Sequence, residues 1–150
     1  MRRYIGTFTF VTLLCLSAVG CDEKLSDIAG PSTPDLEPSF TSIQQLIFET
    51  PETGGRKNCT ACHHNVGRTP AGGLNLLHDV AYDNLVNVAS AAKAGAVRVV
   101  PGSADASYIV HKVEGRPGIA GARMPLNGPY LSDGQILILK RWIDLGAPRN

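Results

Sequence analysis

The segment "KNCTACHHN", Lys57 to Asn65, decides how the rest of the chain is read. Two residues separate Cys59 from Cys62, and His63 follows directly. The pattern is open to four readings: a covalently attached haem, a zinc site, a redox disulfide, or coincidence. The choice depends on the compartment and on what else the chain offers.

The chain begins "MRRYIGTFTFVTLLCLSAVGC", in which Arg2 and Arg3 precede an apolar run that ends in small residues and Cys21. This is the layout of an export signal, too short and wrongly flanked for a membrane-spanning helix. "SAVGC" resembles a bacterial lipobox, so residues 1–20 are expected to be a cleaved leader and Cys21 a lipidated first residue. Such a product faces the periplasmic side of a bacterial membrane.

The chain holds 14 Lys and Arg against 13 Asp and Glu, and losing the leader with Arg2 and Arg3 leaves 12 against 13. A mature charge of −1 gives nucleic acid nothing to recruit. Of the four cysteines, Cys15 leaves with the leader and Cys21 carries lipid, so a disulfide framework is excluded by count.

Residues 21–40, rich in proline, serine and aspartate, read as a flexible tether of about 20 to 25 Å reach. The remainder, 41–150, is long enough for one small core. Its apolar periodicity predicts helices in "SIQQLIFET" with Thr41 or Ser42 as N-cap, in "HDVAYDNLVNVAS", in "DASYIVHKVEG" ended by Gly115, and in "SDGQILILKRWIDLGAP". The last carries a Ser132/Gln135 capping box and an Ile136, Leu139, Ile143 stripe. "RVVPG" alone hints at a strand. Between the helices lie long glycine- and proline-rich connections, which bury little by themselves and need a bound group to pack on.

C-x-x-C-H followed by such loops points to a c-type haem, with Cys59 and Cys62 as the covalent attachment and His63 as the proximal iron ligand. A thioredoxin-like pair expects a βαβ setting, which is not visible, and zinc needs further ligands, whereas His78 and His111 stand isolated. For the second axial position the mature chain offers one methionine, Met124, in a loop "GARMPLNGP" that resembles no helix face. His111 is the rival, His64 points away, and His78 reads as a surface residue.

C-x-x-C-H, the Met124-Pro125 loop and the closing "WIDLGA" helix together resemble the small class I-type cytochrome c domains of bacterial lipoproteins, over residues 43 to 147. The resemblance implies an all-α, cytochrome c-like fold with first and last helices crossing beside the haem, Phe48 and Trp142 being the aromatic pair expected there. It further implies a carbonyl near Pro70 accepting the His63 N–H, and propionate partners among Arg98, Arg123 and Tyr130. The function expected is a one-electron carrier between redox partner proteins, tethered to the membrane, and not an enzyme, since no nucleophile, acid/base pair or phosphate loop is read. The alternative class is a ligand-binding, sensor or peroxidase-like haem with an open or displaceable distal position.

Overall fold

Sixteen glycines and ten prolines break the chain into short helices. The computed structural model describes residues 36–51, 55 and 57–150, so the leader, Cys21 and most of the expected tether lie outside the described residues. Helix α1 spans Phe40–Ile43 and runs directly into a π-helical segment, Gln44–Phe48. Helices α2, Ala81–Leu85, α3, Tyr108–Glu114, and α4, Asp133–Asp144, follow. Single 3₁₀ turns occupy Cys59–Ala61 and Ala71–Gly73. Among the described residues there is no strand, only isolated bridges, and no helix is long and apolar enough to cross a membrane.

The folded domain starts earlier than residue 41. Leu36 and Phe40 are buried in the core, and the cap of α1 is Ser39, whose Oγ accepts the Ser42 N–H, not Thr41 or Ser42. Phe40 draws the boundary back. Its ring stands edge-on to Tyr82 at 5.1 Å and tilted against Trp142 at 5.5 Å. The aromatic crossing between first and last helices is thus made by Phe40; Phe48 packs elsewhere, against the cavity described below. Edge-to-face contacts of this kind add to the area the rings bury. The same corner is closed by hydrogen bonds: Tyr82 Oη donates to Ala147 O at 2.8 Å, and Trp142 Nε1 donates to Pro148 O at 2.9 Å.

Helix α4 forms as its sequence dictates. Ser132 Oγ accepts the Gln135 N–H while Gln135 Oε1 accepts the Ser132 N–H, satisfying two donors that a helix start otherwise leaves open. Ile136, Leu139 and Ile143 are buried, with Ile138 and Trp142 widening the apolar stripe. Helix α3 packs on α4, and on that contact Lys140 and Arg116 both reach the Glu114 carboxylate. Burial would raise the Glu114 carboxyl, but hydrogen bonds from the two cations outweigh it and hold it below the ordinary value.

The expected helix in "HDVAYDNLVNVAS" is shorter than its periodicity suggested. It ends at Leu85; Val86 is extended, Asn87 is left-handed at φ 58°, and Val80 is exposed. Val86 and Ala89 instead bridge Val99 and Val97, and β-branched residues favour such extended pairing. The "RVVPG" segment therefore finds a partner without founding a sheet. Its first residue, Arg98, is buried.

Two substitutions test this packing by denaturant unfolding of the purified chain. Ser132→Ala, which removes one half of the capping box, is expected to cost about 1 kcal/mol. Trp142→Ala, at a fully buried position, is expected to cost about 3–5 kcal/mol. Equal losses would contradict the description.

Candidate functional site

The 3₁₀ turn at Cys59–Ala61 is closed by the Cys62 N–H to Cys59 O at 3.3 Å and the His63 N–H to the same oxygen at 3.0 Å. Cys62 caps the turn that Cys59 begins. The two cysteines are not joined in a disulfide. Cys59 is half-buried and Cys62 exposed. The chain then doubles back, Ala71 N donating to Cys62 O at 3.1 Å and Leu76 N to His63 O at 2.8 Å, so His63 is fixed at both ends of its own peptide.

The imidazole is oriented by the backbone that folds back over it. His63 Nδ1 lies 2.9 Å from Ala71 O. A carbonyl oxygen can only accept, so Nδ1 carries the proton and Nε2 is the nitrogen with the lone pair. The accepting carbonyl is that of Ala71, directly after Pro70, whose own oxygen takes the Gly73 N–H. Burial lowers the His63 pKa; the Ala71 and Leu74 carbonyls oppose the shift, while Arg98 and Lys112 reinforce it. A neutral imidazole is the form that binds a metal.

His63 lines a cavity of about 300 Å³, at the lower end of the range for small-molecule and cofactor sites. Ile47, Phe48, Leu76 and Leu85 contribute apolar wall, as do Val113 and Leu139 from α3 and α4. Cys59 and Met124 line the same cavity. Three of the four residues expected to hold the group therefore meet there, and Cys62 lies outside the lining. Cys21 is outside the described residues.

Met124 arrives on the irregular stretch between α3 and α4. Its N–H donates to Lys112 O at 2.8 Å. Gly115 ends α3 in the left-handed region, at φ 73°, and a Cβ there would fall 2.8 Å from Arg123 Cδ, so glycine is required both by the backbone and by the close passage of the loop.

Of the three candidates for an anionic partner, only Arg98 reaches the cavity. It is 8% exposed, and donates from Nη1 to Asn84 O at 2.7 Å and from Nη2 to Gly73 O at 2.9 Å. Burial pushes its pKa down. Among the described residues it makes no ion pair with a carboxylate, which leaves a buried cation on an apolar wall, an arrangement suited to a ligand carrying a carboxylate. Arg123 is otherwise engaged, donating to Val113 O at 2.7 Å and stacking over Tyr130 at 4.0 Å.

The rival histidines lie elsewhere. His111 Nε2 is 2.7 Å from Asp105 O and the residue is not part of the cavity wall. His64 Nδ1 accepts the Val66 N–H, and the exposed His78 sits 3.3 Å from Glu49 Oε1. A structural zinc needs four ligands; among the described residues no group of three or more His, Cys, Asp or Glu is placed to hold a metal ion.

Two cavity residues were not expected from sequence. Tyr108 and Lys112, one helical turn apart on α3, both line it; their i, i+4 spacing, with Met124 bonded to the same turn, is the signal that tertiary contact alone makes readable.

Replacing Arg98 by Met keeps an apolar stem and strands the Asn84 and Gly73 carbonyls; a loss of about 1–3 kcal/mol in denaturant unfolding is expected. No measurable change would mean the guanidinium does not hold those carbonyls. No family model, curated protein or solved structure matches the chain.

Proposed function

We propose that the chain is an exported, lipid-anchored one-electron carrier of the cytochrome c kind, with a single haem c attached through Cys59 and Cys62 and its iron held by His63 and Met124. The observation that carries this reading is the convergence of Cys59, His63 and Met124, the last two 61 residues apart in sequence, on one apolar cavity. The donor chemistry fits: a neutral imidazole with its proton committed to Ala71, a soft thioether, and a buried guanidinium suited to a propionate.

When bound, the haem supplies the change between Fe(II) and Fe(III). The chain's own residues do the rest. Ala71 fixes the His63 tautomer and raises its basicity as a ligand. The walls formed by Phe48, Leu76, Leu85 and Leu139 exclude water, which favours the less charged iron state and raises the potential, as does a thioether ligand. A carrier needs no nucleophile or acid/base pair, and redox partner proteins are its only substrates. The tether and the lipid on Cys21 would keep it at the periplasmic face of the membrane while letting it reach them.

Visible spectroscopy of the chain produced with haem-attachment machinery tests the reading. A low-spin ferric spectrum with a weak far-red sulfur-to-iron band, abolished in Met124→Ala, is expected. A high-spin spectrum that answers to carbon monoxide or peroxide in the unaltered chain would favour a ligand-binding haem, and no Soret absorption would end the haem reading altogether.

A further inference from the structure

We propose that Lys112 is the positioning residue for Met124, a clamp that holds the distal loop through both its ammonium and its backbone carbonyl; this rests on the ligand role just assigned to Met124. The stretch after Gly115 has no helix of its own before Asp133, and it contains Gly118 and Gly121 with positive φ. Such a segment is held only by what it bonds to outside itself. Most of that comes from α3, where Arg123 Nε also donates to Val113 O at 2.7 Å; from outside the helix Lys93 Nζ donates to Gly118 O at 2.7 Å. Lys112 Nζ donates to Ala120 O at 2.8 Å and to Ala122 O at 2.5 Å, while Lys112 O accepts the Met124 N–H at 2.8 Å. Tyr108 Oη accepts the Ala120 N–H at 2.8 Å.

The chemistry singles out the ammonium. Lysine offers three donors and no acceptor, and here two of them go to the loop carbonyls of Ala120 and Ala122 with, among the described residues, no carboxylate paired to it. Charge-assisted bonds to carbonyls are stronger than neutral ones. A thioether is a weak ligand, so how firmly it stays on the iron depends on how well the protein holds it there. Loosening the loop therefore lowers the occupancy of Met124 without touching His63 or the cysteines.

The test uses the full chain with haem attached, comparing the far-red ferric band and the affinity of the ferrous form for carbon monoxide, which must displace Met124. Lys112→Gln is expected to weaken the band and to raise carbon monoxide affinity at least about tenfold, the size of one lost charge-assisted hydrogen bond. Lys112→Arg, which keeps the cationic donors, is expected to restore most of both signals. Tyr108→Phe, which removes one anchor and leaves the α3 backbone intact, should move both in the same direction by less. A haem-loaded Lys112→Gln with an unchanged band and unchanged affinity overturns the clamp and leaves the haem reading standing. If Lys112→Gln does not accumulate, Tyr108→Phe decides, and unchanged affinity there overturns it equally. Absence of haem from the unaltered chain would sink the ligand assignment itself, and the clamp with it.

Discussion

The hydrogen bond between His63 Nδ1 and the Ala71 carbonyl is the contact on which the account of the site depends. Without it the ring could present either nitrogen. With it, the proton is committed to one side and the lone pair to the other, and burial keeps the ring neutral. The bond exists because the chain doubles back after the C-x-x-C-H turn, Ala71 meeting Cys62 and Leu76 meeting His63 through the backbone. Two irregular segments that bury little on their own thus fix each other around one imidazole.

The same economy runs through the domain. Its helices are short, and the one of full length, α4, forms a spine against which α1 and α3 pack. Phe40, Tyr82 and Trp142 close one corner with ring contacts. Part of the core, Ile47, Phe48, Leu76, Leu85 and Leu139 among it, faces a cavity, and into that cavity the fold sends a histidine, a methionine and, among the described residues, an arginine without a carboxylate. In the proposed reading, the cofactor serves as the missing part of the core, as expected for a small domain with, among the described residues, neither disulfides nor a sheet.

What could be read from sequence followed locality. The Ser132/Gln135 capping box, the Gly115 stop and the α4 stripe obey rules spanning three or four residues, and each is present. Cys59, His63 and Met124 stand out in sequence by their chemistry, and the fold brings these three, though not Cys62, to one cavity. Phe40 was not: its role depends on Trp142, more than a hundred positions away, and nothing nearby separates it from Phe48. The apolar pattern beyond Leu85 fits a helix as well as an extended segment, and the choice fell to pairing with Val97 and Val99. Nothing in the sequence separates Arg98 from the other propionate candidates or marks Lys112, because their partners are backbone carbonyls.

The most direct measurement is the mass of the tryptic peptide Asn58–Arg68 from chain made in cells able to attach haem. The account predicts that the peptide carries one haem, bound through thioethers at Cys59 and Cys62, and that neither sulfur can be alkylated. An unmodified peptide with both thiols open to alkylation would contradict it.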